Sequence, residues 1–444
     1  MPFTRRNLLF SGLAGAATGL LSSTRAFAQR LRAPGESGPP PKPLAARRSN
    51  GRAPVITPNG TSLPWRMVDG VKEFHLIAEP VRREFVEGLE VNAWGYNGVT
   101  PGPTIEAFEG DRVRLLVTNR LPEGTSVHWH GFILPNGMDG VAGLNQPKIA
   151  PGETYAYEFT LQQTGTLMYH PHFDEMTQIA LGMHGFFIIH PRDPGVRRVD
   201  RDFAIFLNEW FIKPGTATPD PTVMLDFNTF TMNGRVFPGT APMLVRTGDR
   251  VRIRLANLTM DSHPIHIHGH AFYVTGTDAG PIPGTAWWPE NSVNVPVGTT
   301  RDIEFTADNP GDWAFHCHKT HHVMNQMGHG LPNLLGIDPS SPQQRLDQLV
   351  PGTMVMGSDG MGAHAEQRGM MALPRNSIPM LGGQGPYGSI DMGGMFTLVK
   401  VRDDMDYDRD PGWYRQPPGT SARRVDSMSP PPAQQQPSHE GHGK

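Results

Sequence analysis

Residues 112–119 read Arg-Val-Arg-Leu-Leu-Val-Thr-Asn, with polar and apolar positions largely alternating, and residues 250–257 read Arg-Val-Arg-Ile-Arg-Leu-Ala-Asn. That period, with β-branched residues, predicts half-buried strands. Gly, Pro and Asn clusters punctuate such runs, and no long stretch carries apolar residues at helical spacing. The runs also come in two copies. GDRVRL at Gly110–Leu115 returns as GDRVRI at Gly248–Ile253, an offset of 138; HWHG at His128–Gly131 returns as HIHG at His266–Gly269 at the same offset. GETYAYEF from Gly152 matches GTTRDIEF from Gly298 at 146, and His170-Pro171-His172 matches His316-Cys317-His318, also at 146. Two constant offsets separated by one eight-residue insertion define an internal repeat. About 130 residues of short strands per copy predict a β-sandwich or barrel for each. The first unit is expected near 66–197 and the second near 198–340. Residues 29–65 read as a flexible leader. Residues 341–444 read as an irregular Met/Gly/Pro-rich extension with a disordered tail, with one further strand at Met395 to Val401.

Composition narrows the class. Gly 51 and Pro 44 supply turn chemistry that weighs against a helical bundle or coiled coil. Lys+Arg 39 against Asp+Glu 42 gives a net charge of −3, with no basic block to suit nucleic acid. The single cysteine, Cys317, excludes a disulfide scaffold. The N-terminus reads as an export signal: Arg5-Arg6, an apolar stretch from Leu8 to Leu21, then Ala26-Phe27-Ala28 before a cleavage point after residue 28. The paired arginines resemble the twin-arginine type, so the expected location is the periplasm or the exterior.

Chemistry enters through the 19 histidines. His128/His130, His170/His172, His266/His268 and His316/His318 all have His-x-His spacing. In a strand, residues i and i+2 share a face, so each pair presents two imidazoles together. Eight imidazoles on four strands suit a cluster of borderline metals such as copper. Parity then separates a second site. Cys317 lies between His316 and His318 and must face the other way; His263, three residues before His266, does too. With His322 and Met327 following at spacings of five, the donors are two imidazoles, one thiolate and one thioether, the set of a blue copper electron-transfer site. His321 and Met324 compete for the last two places.

These motifs, HWHG at 128–131, HPH at 170–172, HPIHIHGH at 263–270 and HCHKTHHVMNQM at 316–327, resemble the multicopper oxidase family. The resemblance covers roughly 66–340 and implies an all-β chain of two cupredoxin-like Greek-key β-sandwich domains. It implies four coppers per chain: type 1 at His263, Cys317, His322 and Met327; two type 3 ions at His130, His170, His318 and at His172, His268, His316; type 2 at His128 and His266. Spacing does not decide which of His266 and His268 takes the type 2 role. His172 and His263 are only 91 positions apart, too close for a third domain, so the chain resembles the two-domain, small-laccase-like type. Such members are homotrimers whose trinuclear cluster lies between the first unit of one chain and the second unit of the next. Pro171 stands where unit two has Cys317, so only unit two can hold a type 1 copper.

The resemblance also places an acid, Asp139, near the cluster as a proton donor to reduced oxygen. The expected activity is oxidation of phenols, aromatic amines or Cu(I), one electron at a time, coupled to reduction of O2 to water. Two other readings compete: a two-domain copper nitrite reductase, which needs its cysteine in unit one, and a non-catalytic copper-binding or resistance protein using the Met/His-rich tail. Eight methionines between Met354 and Met395 suit Cu(I) capture as soft donors, or flexible packing.

Overall fold

In the computed structural model, which describes residues 52–193, 195, 198–325, 375–379 and 382–425, both repeats form paired sheets. In unit one, Val113, Leu115 and Val117 of the strand Arg112–Asn119 are buried, while Arg112 is exposed. Burying three such side chains is worth about 1.5–3 kcal/mol each. A one-residue slip would bury the arginines instead, so the alternation fixes the register. This strand runs parallel to Val71–Val86 and antiparallel to Thr154–Thr160. Trp65–Val68 and Leu89–Tyr96 complete that sheet. Opposite it lies a four-stranded sheet in the order Gly102–Phe108, Gly185–His190, Gly165–His170, His128–His130. Trp129, Tyr157, Tyr169 and Phe187 fill the space between.

Unit two repeats the plan. Arg250–Asn257 pairs with Arg201–Trp210 and Thr299–Thr306 in an eight-stranded sheet. The facing sheet has the order Met243–Arg246, Phe396–Arg402, Gly311–Cys317, His263–Ile267, Ser292–Val295. The strand anticipated at Met395 to Val401 is therefore Phe396–Arg402. It is inserted in the second sandwich from beyond residue 340, next to the strand that ends in Cys317.

The leader differs from expectation in its last part. Val55–Ile56 is a strand paired with Asp202 and Phe203 of unit two, because Arg201–Trp210 would otherwise leave an edge unpaired. The two sandwiches meet through Met168, Phe186 and Ile188 of unit one against Ala204, Phe206 and Ala256 of unit two. At one end of this contact Arg254 is buried between Asp202, at 2.7 and 2.8 Å, and Thr166 of unit one, at 2.7 Å. Burial works against the charge on Arg254, yet Asp202 and Asp302 raise its pKa further. A buried charge is tolerated only when paired in this way. Among the described residues no helix is long and apolar enough to cross a membrane.

Candidate metal centre

His263 opens the strand His263–Ile267, and Cys317 closes its antiparallel neighbour, opposite Ile265. His322 arrives from the short 3-10 turn Thr320–Val323. The three side chains converge in the core of unit two. Cys317 Sγ lies 3.6 Å from His322 Nδ1 and 3.9 Å from His263 Nδ1, and the two nitrogens are 3.1 Å apart. Phe230 stacks on His322 at 4.2 Å. The backbone around Met395 holds the loop: Cys317 N donates to Met395 O, and Met395 N to His322 O, each at 3.0 Å. Gly394 is required there, since a Cβ would sit 2.3 Å from His322 O and its φ is +51°.

Burial sets the protonation of this pocket. It pushes His263 well below the ordinary histidine range, His322 down to about 3, and the Cys317 thiol up to about 12. Two neutral imidazoles with lone pairs turned inward and one thiol that ionises only beside a cation are a fitting donor set for copper. Each donor atom lies within 4.8 Å of the others. His321 is exposed, so His322 is the histidine that reaches Cys317. Met327 lies outside the described residues, as do the signal residues and most of the Met-rich segment.

The remaining histidines form two quartets. In unit one, His128 pairs across the sheet with His170. Its ring lies 5.7, 5.3 and 5.5 Å from those of His130, His170 and His172. In unit two, His266 pairs with His316, and its ring lies 4.8, 5.7 and 5.5 Å from those of His268, His316 and His318. Backbone carbonyls fix four of these imidazoles. The Nδ1–H of His128 donates to Asp139 O at 2.8 Å, of His170 to Pro171 O at 2.9 Å, of His266 to Asn291 O at 2.6 Å and of His316 to Cys317 O at 2.8 Å. A carbonyl only accepts, so each Nε2 keeps its lone pair for a metal. Burial lowers His170 to about 3 and His316 to about 4, which keeps them neutral. The hydrogen bond from His316 to the Cys317 carbonyl also links the two donor sets through a single residue. Among the described residues no ring contact or hydrogen bond joins one quartet to the other.

Asp139 meets its expected neighbour. Its carboxylate lies 3.4 Å from His128 Nδ1, and Asn145 Nδ2 donates to it at 3.4 Å. The turn is shaped by Gly140 (φ +85°), where a Cβ would sit 1.8 Å from Val127 O. His184, His190 and His270 join none of the clusters: His184 stacks on Phe206, His190 pairs with Glu106, and His270 faces the His268 carbonyl.

Sequence reasoning passed over several acids. Glu209 is buried with Oε1 3.7 Å from His263 Nε2 and 3.9 Å from His322 Nε2. Burial and the neighbouring Asp261 push it up to about 7. Its signal was its place: with Asn208 it interrupts the apolar run Phe203–Phe211. Asp261 lies 3.5 Å from His322 Nε2 and bonds Lys319. Glu175 flanks His170 and His172 at 3.5 and 3.6 Å.

Known proteins share this arrangement. Two family models, both described as multicopper oxidase, match residues 78–194 and 214–334, together more than half of the chain. Copper resistance protein A of Escherichia coli is 44% identical over 125 residues, 28% of this chain and 20% of that protein. Laccase-1 of Botryotinia fuckeliana is 35% identical over 239 residues, 50% of this chain and 40% of that protein. The chain thus spans between a fifth and two-fifths of these two relatives. Among solved structures, the blue copper oxidase of Nitrosomonas europaea matches at 26% identity and a TM-score of 0.55, over 74% of this chain and 85% of that one. The multicopper oxidase mgLAC matches at 28% and 0.56, over 74% and 86%. Two cupredoxin-like sandwiches, the paired histidine motifs and these similarities agree: the chain belongs to the multicopper oxidase family, in its two-domain form.

Proposed function

We propose that this protein is an exported oxidase that takes single electrons from a small reductant, a phenol, an aromatic amine or Cu(I), and delivers four of them to O2, giving water. The observation that carries the reading is the double facing of the strand that ends in Cys317. Its thiol meets His263 and His322 in the core, while the flanking His316 and His318 meet His266 and His268 on the other side. Copper in these positions supplies one-electron transfer at the thiolate and multi-electron oxygen chemistry at the imidazoles. The chain's own part is to hold neutral imidazoles at fixed angles and to connect the two faces through one residue. Asp139, beside His128 and half-exposed, is suited to pass protons from solvent toward the quartet.

The quartets suit an interchain cluster. His268 and His318 are exposed and His172 half-buried, so each quartet is open on one side. A homotrimer that closes the first quartet of one chain onto the second quartet of the next would complete eight ligands. Cu(I) as substrate draws on the Met-rich segment, and phenols draw on the laccase similarity; parallel O2-uptake assays with each reductant decide between them.

The central test is Cys317→Ser. It should abolish the blue absorption and nearly all O2 reduction while copper falls from four to three per chain, because no quartet ligand is lost. A blue, active variant would end the assignment. A wild-type count of two coppers would favour a nitrite reductase, and a variable count without blue colour a copper-binding protein.

A further inference from the structure

The side of the pocket behind the two inward-facing imidazoles is lined with acceptors, and one residue organises it. Thr259 donates its hydroxyl proton to Asn257 Oδ1 at 2.8 Å, so its lone pairs face His263 Nε2 at 3.3 Å. Asn257 Oδ1 is an acceptor there because its Nδ2 donates to Asp261 O and Val295 O. His263 therefore carries its proton on Nε2 and turns a bare Nδ1 toward Cys317. Glu209 stands behind both rings. Its Oε2 accepts the backbone N–H groups of Met260 at 3.1 Å and Asp261 at 3.2 Å. Its Oε1 has no hydrogen-bond partner among the described residues and faces both Nε2 atoms, while His322 Nε2 also lies 3.5 Å from Asp261 Oδ2. The side chain is fully buried. An oxygen left free in such a place loses its hydration with nothing in return unless a donor recovers it.

We propose that Glu209 is the positioning residue of the thiolate-side metal centre: one carboxylate that anchors the 259–261 loop with one oxygen and receives the Nε2–H of both His263 and His322 with the other. The separations of 3.7 and 3.9 Å are too long for hydrogen bonds. With a cation held by both Nδ1 atoms, Oε1 would be the acceptor placed to serve both Nε2–H groups, whereas Thr259 Oγ1 stands beside that of His263 and Asp261 Oδ2 beside that of His322. Carboxylates behind metal-bound imidazoles fix the tautomer and raise ligand basicity, and losing one costs about 10–100-fold in metal affinity. Serving both ligands, Glu209 raises the basicity of the two imidazoles together, which favours the oxidised state of the centre. It thereby holds the reduction potential down and directs the site toward readily oxidised reductants. The inference rests on the thiolate-side assignment above.

Glu209→Gln and Glu209→Leu in the full-length, copper-loaded protein test it. Glu209→Gln leaves one acceptor oxygen where Glu209 has two, so the imidazoles and the N–H groups of Met260 and Asp261 can no longer both be served. It should retain the blue band, with an upward shift in reduction potential by redox titration. Glu209→Leu removes the acceptor and should lose the thiolate-side copper to a competing chelator at least about tenfold more readily, with quartet copper retained. Wild-type copper retention and potential in Glu209→Leu would overturn the proposal. If Glu209→Leu does not fold, an unshifted potential in Glu209→Gln overturns it alone. A colourless wild-type protein would instead refute the underlying assignment, so the two failures are distinguishable.

Discussion

Cys317 combines two donor environments because a β-strand has two faces. Its thiol is inward, at 0% exposure, and its neighbours serve the opposite side. The same burial dictates how the pocket responds to pH. His322, at about 3, and His263, well below its usual range, stay neutral across the physiological window, whereas the thiol, at about 12, stays protonated until a metal displaces its proton. Of the three donors, only the thiol carries a proton that competes with copper between about pH 5 and 10. Affinity at this site should therefore rise with pH, by about tenfold per unit, with one proton released per ion bound. Calorimetry in buffers of different ionisation enthalpy measures the release directly; a pH-independent affinity would mean that the thiol is not a ligand.

At the scale of elements, the two repeats show what one substitution in a shared plan does. Thr125 occupies the place in unit one that His263 has in unit two, at the offset of 138, and Pro171 replaces Cys317. Thr125 Oγ1 donates to Gln178 Oε1 at 2.7 Å, and Gln178 Nε2 donates to Gly124 O at 2.8 Å. A satisfied neutral pair thus stands where the second copy brings His263 to Cys317 and His322. The pocket in unit two depends in turn on Phe396–Arg402, which hydrogen-bonds along Gly311–Cys317. Val399 is fully buried in that core and opposes Trp313. Val399→Ala should cost about 2 kcal/mol. The loss should appear as a lower unfolding midpoint accompanied by earlier loss of blue colour, since Met395 ties Cys317 and His322 together. Unchanged colour up to the unfolding of unit one would show that the strand does not support the pocket.

For the whole molecule, the decisive feature is that among the described residues the quartets make no contact with each other within one chain, while each has exposed or half-buried imidazoles. If they combine between copies, light scattering should find three chains in the copper-loaded protein. Dissociated monomers should lose the magnetic coupling of paired coppers yet keep the blue band, whose ligands all come from unit two. A fully active monomer would contradict the interchain cluster. Glu175, flanking His170 and His172, and Asp139, beside His128, bring carboxylates to the open first quartet.

The sequence by itself determined the strands, the two-copy architecture and the assortment of His263, Cys317 and the His-x-His pairs onto opposite faces. These follow from a period of two and from constant offsets, which are local properties that the chain carries in one dimension. Tertiary structure decided what depends on distant segments meeting. It chose His322 over its neighbour His321, because only the turn Thr320–Val323 aims one ring inward. It drew Val55–Ile56 out of an apparently flexible leader, and it seated the strand expected at Met395 to Val401, observed as Phe396–Arg402, between two strands of unit two whose edges needed partners. And it set Glu209 behind both imidazoles: sequence marks an acid in an apolar strand, but it is packing across 54 and 113 further residues of chain that brings His263 and His322 to it.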